Sequence, residues 1–219
     1  MKQLKSLPDG FQHYVDIRPE EYRKGHLAAL IISLPLALGF YFVFIGLARI
    51  NRADVVQSLS WNPNFNIFGL IQIILVFLLF SIVHELIHGA FIWIYTGETP
   101  KTVIQFPGIG IYTPEWYFPR IQMMLIELAP LFLITIFGAP LLPFIPPRFV
   151  GLFAIGLTYN VIGSYMDIAV FIYTFLLPDD SLIKLEKSHA SIFVGKVDGS
   201  TWKSLLLEKL EHKIMPTLR

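Results

Sequence analysis

Residues 67–95 form an almost unbroken apolar run that closes on LVFLLFSIVHELIHGAFIWIY. Such a stretch is built to cross a bilayer as a helix, because in hydrocarbon the backbone groups must be satisfied within the segment. Yet His84, Glu85 and His88 sit inside it. An acidic side chain at mid-bilayer costs about 2.5–3.5 kcal/mol, so ionisable groups clustered there call for a shared role. Their spacing is H-E-x-x-H. Positions i and i+4 project from one helix face, so the two imidazoles can hold one zinc ion. The Glu between them can then act on a metal-activated water.

The rest of the chain has the same character. Of its 219 residues 54% are hydrophobic and only 15% charged, with a mean hydropathy of +0.60, against about a quarter charged in ordinary globular proteins. A net charge of +1 gives no electrostatic case for nucleic-acid binding, and none is expected. With no cysteine present, any metal must be held by His, Asp, Glu or Asn. The polar first 26 residues lack the pattern of a cleaved signal, so the first hydrophobic helix is expected to direct insertion.

Four stretches are long enough to span a bilayer: 27–48, 67–95, 121–145 and 149–177. The fold expected is therefore an all-α membrane protein of about four transmembrane helices. Its parts are an N-terminal tail over 1–26, a four-span domain over 27–177 and a C-terminal tail over 178–219. Pro146 and Pro147 make a tight hairpin between the last two spans, and Pro130 and Pro140 should distort the third. Fourteen Lys and Arg fall on the side of the two tails and the 96–120 loop, against Arg49, Arg52 and Arg148 on the other, so both termini should be cytoplasmic. Within that loop, 102–112 reads as a short β-hairpin, and 202–214 reads as an amphipathic helix.

A catalytic zinc site uses three protein ligands. The second and fourth spans run in the same direction, which brings Asp167 to the depth of His84 and His88. Asn160, Ser164 and Asp167 are spaced i, i+4, i+7 and form one polar stripe. Depth and helix face favour Asp167 as third ligand, with Glu127 of the third span as the alternative. Asn160 and Ser164 either bridge helices or contact the substrate or transition state. His13, His26, His189 and His212 lie in the tails and read as solvated.

The motif His-Glu-Leu-Ile-His-Gly at 84–89, a strand-like loop, Leu128-Ala-Pro-Leu131, and then Asn160, Gly163-Ser164 and Asp167 together resemble a bacterial and archaeal zincin peptidase family of unassigned function. More distantly the chain is similar to the site-2 intramembrane metalloproteases. The resemblance covers 67–180 and implies His84, His88 and Asp167 as zinc ligands and Glu85 as the catalytic carboxylate. In site-2 proteases the aspartate belongs to a proline-rich Asn…Asp-Gly motif; here no proline separates Asn160 from Asp167, and Ile168 stands for the Gly.

The expected function is zinc-dependent hydrolysis of peptide bonds in or near the membrane by a zinc-activated water, with Glu85 as general base and a membrane protein or peptide as substrate. The competing expectation is a metal-binding membrane protein without protease activity, such as a scaffold, pseudoprotease or transporter. Against a transporter stands the lack of any internal repeat.

Overall fold

The computed structural model describes residues 4–17, 23–50, 67–105, 108–187 and 189–195. In chain order the elements are β1 (Gln12–Ile17), α1 (Arg23–Arg49), α2 (Ile67–Thr96), β2 (Lys101–Gln105), β3 (Gly108–Pro119), α3 (Arg120–Gly138), α4 (Pro147–Gly163), α5 (Tyr165–Leu176), β4 (Leu182–Leu185) and β5 (Ala190–Val194). A 3₁₀ turn, Ala139–Phe144, prolongs α3. Contacts gather these elements into two compact units, one from 28–87 and 129–166, the other from 1–27, 88–128 and 167–219.

The first unit is helical. Its core joins Phe44, Ile45 and Ala48 of α1 to Phe80 of α2, Ile134 of α3, Leu142 of the 3₁₀ turn, and Val150, Ala154 and Leu157 of α4. Close approach of α2 and α4 depends on Gly156, since a Cβ there would fall 2.2 Å from Cε2 of Phe80. Around this contact Phe77 stacks on Tyr159 at 4.5 Å between centroids, and Ser81 Oγ and Tyr159 Oη hydrogen-bond at 2.8 Å. Two of the expected proline effects are visible. Pro140 stands where α3 gives way to the 3₁₀ turn, and Pro147 opens α4 at the position where a missing N–H costs nothing.

The second unit is built on an antiparallel five-stranded sheet in the order β1-β5-β4-β3-β2. The expected hairpin is present as β2 and β3, with Lys101 opposite Tyr112. The sheet goes further, because segments read from the sequence as tails supply β1, β4 and β5. Its apolar face is closed by Met123, Leu177, Ile183, Ile192 and Val194, and a neighbouring cluster joins Ile92, Phe118 and Ile126. His13, exposed as expected, and the partly buried His189 flank Asp16: His13 Nε2 lies 2.7 Å and His189 Nε2 3.8 Å from Asp16 Oδ1. Ser191 donates to the same oxygen at 2.8 Å. Burial pushes the Asp16 pKa up, but the hydrogen bonds from His13 and Ser191 and the charges of His13 and His189 outweigh it and hold the carboxyl below its usual range.

Helix ends are set locally. Gly97 adopts φ +72°, its N–H bonding the Trp93 carbonyl at 2.7 Å, which is the left-handed stop that glycine makes easily. Arg120 caps the end of α5, donating to the Leu177 carbonyl at 2.8 Å and pairing with Asp179 at 2.6 Å.

Among the described residues, three helical segments are long and apolar enough to cross a membrane: Ile67–Thr96, Arg120–Phe144 and Pro147–Leu176. The first expected span is represented by a shorter apolar segment, Ser33–Arg49. Most of the Leu, Ile and Phe side chains of α2 are exposed, with Phe80 and Ile92 the buried exceptions. The 202–214 segment, expected as an amphipathic helix, lies outside the described residues.

Candidate metal centre

One uninterrupted helix, α2, carries His84, Glu85 and His88. An apolar run without proline keeps its pitch through the motif, so the two imidazoles stand one turn apart on one face. Each ring has its Nδ1 occupied. His88 Nδ1 lies 2.9 Å from the backbone carbonyl of Ile126, which can only accept. His88 therefore carries its proton on Nδ1 and leaves the Nε2 lone pair for a metal. His84 Nδ1 lies 3.0 Å from Asn160 Oδ1, which leaves Nε2 as the ligand atom there too.

The Ile126 carbonyl is free for this task because of a proline. In an α-helix it would accept from the N–H of residue 130, but residue 130 is proline and has none. Pro130, expected to distort the span, thus supplies an acceptor to a histidine of another helix.

The fourth expected span does not run on as one helix. It stops at Ser164, whose N–H and Oγ both bond the Asn160 carbonyl, at 3.0 and 2.9 Å. A new helix, α5, starts at Tyr165 and holds Asp167 in its first turn. Ser164 is fully buried, and its hydroxyl is spent on this helix end. Asp167 Oδ1 lies 3.8 Å from His88 Nε2, with the two side chains only 14% and 11% exposed. That is too long for a hydrogen bond. It is close to the separation of about 3.3–3.5 Å that two ligands of one tetrahedral zinc ion keep.

His84, His88 and Asp167 each offer one ligand atom, and these atoms lie within 4.8 Å of one another. Two imidazole nitrogens and one carboxylate oxygen form a donor set suited to zinc, and the occupied Nδ1 atoms present both rings correctly. The residues therefore fit the ion. Glu127 is not a member of this group, although its neighbour Ile126 serves His88. Glu85 lies half-buried beside His84 on α2. Sequence reasoning missed the Ile126 carbonyl altogether; a backbone acceptor has no residue type to mark it, and Pro130 four residues on was the only available signal.

An apolar helical protein with two histidines one turn apart, and a carboxylate brought beside them by a later helix, belongs to the class that can hold a single metal ion among helices. The family model described as "putative zincin peptidase" matches residues 77–182, just under half of the chain and the segment that holds all three of these side chains, and it is the family that the motif resembles. No curated protein and no solved structure matches the chain.

Proposed function

We propose that the protein is a zinc-dependent endopeptidase of the membrane, hydrolysing peptide bonds in or near the bilayer. The observation that carries this reading is that both histidines of the H-E-x-x-H helix have Nδ1 paired with an oxygen of another helix, which leaves their Nε2 atoms for a metal in the group that Asp167 completes. His84, His88 and Asp167 would hold the ion. When bound, zinc supplies Lewis acidity, polarising the scissile carbonyl and easing the ionisation of water.

The remaining chemistry falls to the chain. Glu85 accepts the proton of the attacking water as the new C–O bond forms, then returns it to the departing nitrogen as the C–N bond breaks. The helices cross the membrane four times with both termini in the cytoplasm, following the distribution of Lys and Arg. An extended substrate strand is held by the outer edge of β2, which ends the sheet order.

Glu85→Gln separates this reading from that of a metal-binding protein without protease activity. Zinc should stay bound, while cleavage of a membrane-spanning model peptide by the detergent-purified protein should fall about 10²–10⁴-fold, the usual contribution of a general base. Undiminished turnover in this variant would remove Glu85 from the mechanism.

A further inference from the structure

Asn160 is a side chain with one more function than its hydrogen bonds use. It is 2% exposed, in the last turn of α4, and its Oδ1 faces His84 Nδ1 at 3.0 Å. Its Nδ2 is also buried and has no hydrogen-bond partner among the described residues. A carboxamide offers two N–H donors, and leaving them unmet in a buried site is costly. Turning the amide over would not help. Nδ2 would then donate to His84 Nδ1, the His84 proton would move to Nε2, and the ring could no longer bind metal. The demand for a metal-binding His84 therefore fixes which end of the amide faces the ring, and leaves the other end unanswered.

The placement of this amide is firm. Both hydrogen-bond donors of Ser164 grip the Asn160 carbonyl, which pins its main chain at the end of α4. The Phe80–Gly156 contact and the Ser81–Tyr159 bond hold α2 against α4 one turn before it. A buried donor kept at such cost beside a metal ligand is suited to an acceptor that arrives with the substrate.

We infer that Asn160 joins two tasks, resting on the proposed peptidase reading: Oδ1 orients His84 for the metal, and Nδ2–H donates to a backbone carbonyl oxygen of the bound peptide. Because one rigid amide makes both bonds, peptide binding stiffens His84 and tightens the metal, and by reciprocity the metal tightens the peptide.

The test uses full-length protein in detergent on a Glu85→Gln background, so that no turnover intervenes. Zinc affinity is measured by chelator competition, and peptide affinity with a fluorescein-labelled apolar peptide of about 20 residues, the length of one span. Asn160→Asp keeps an acceptor for His84 but removes the donor: zinc affinity should hold, while peptide affinity should fall about tenfold, as for one lost hydrogen bond. Asn160→Ala removes both, and zinc affinity should fall about 10–100-fold. In protein with Asn160 intact, added peptide should tighten zinc binding several-fold; this arm does not depend on any change at residue 160. Equal zinc loss in Asn160→Asp and Asn160→Ala would overturn the orienting role. Unchanged peptide affinity in Asn160→Asp, or zinc affinity indifferent to peptide, would overturn the substrate contact. Failure of wild-type protein to cleave peptides that it binds would count against the peptidase reading alone.

Discussion

His84 and His88 stand one turn apart on the same helix, yet they are held by different kinds of partner. His84 depends on a side chain, the Asn160 amide, and on the close packing of α2 against α4 that Gly156 permits. His88 depends on a backbone carbonyl, that of Ile126, freed by a proline one turn further along α3. A side-chain partner can be deleted by one substitution; a backbone partner can only be given a competitor. The first half of the centre should therefore be fragile to mutation and the second half robust.

The sharpest contrast compares Asn160→Ala with Ile126→Val. The first should weaken zinc binding about 10–100-fold, as loss of an outer partner of a ligating histidine commonly does. The second keeps the carbonyl and should leave zinc affinity unchanged, at about 0.5–1.5 kcal/mol in stability for the lost methylene. Equal zinc losses in chelator competition would erase the distinction. Next in size, Gly156→Ala drives a methyl into the Phe80 ring, which is itself buried and packed edge-on against Phe153. Overpacking of this kind should cost about 1–3 kcal/mol in thermal unfolding and loosen the His84 half of the centre.

On the other side, Pro130→Ala restores an N–H that competes for the Ile126 carbonyl. A carbonyl has two lone pairs, so the expected loss of zinc affinity is only a few-fold. The smallest effect belongs to Asp16 in β1, the strand at one end of the sheet order. Asp16 is held below its usual pKa in the folded protein, so its contribution is complete above the ordinary carboxylate range and is lost as pH falls through the folded value. Asp16→Asn should lower stability at pH 7 by under about 1 kcal/mol, as suits a partly exposed group, and leave zinc binding untouched. The gap between variant and wild type should close as unfolding is followed into acid.

What could be read from the chain follows the physical range of each signal. The H-E-x-x-H motif, the apolar runs and the hairpin are local patterns, and they were legible because helix and strand periodicity act over a few residues. Asp167 was legible through depth, since two helices running the same way place equal counts of residues at equal levels. The sheet was not. β1 pairs Gln12 with Val194, nearly the whole chain apart, and β4 and β5 are short runs, LIKL and ASIFV, inside polar segments. The break at Ser164 was hidden as well, because no proline marks it and Ser164 itself closes the helix. That break separates Asn160, which turns to His84, from Asp167, which turns to His88, where an unbroken helix would have aligned all three polar residues in one stripe.

The most direct measurement is the zinc content of detergent-purified protein for wild type, His88→Ala, Asp167→Ala and Glu127→Ala. The account predicts about one zinc per chain in wild type and in Glu127→Ala, and little or none in His88→Ala and Asp167→Ala, because a catalytic site uses three protein ligands. Full zinc in Asp167→Ala, or its loss in Glu127→Ala with Asp167 intact, would contradict it.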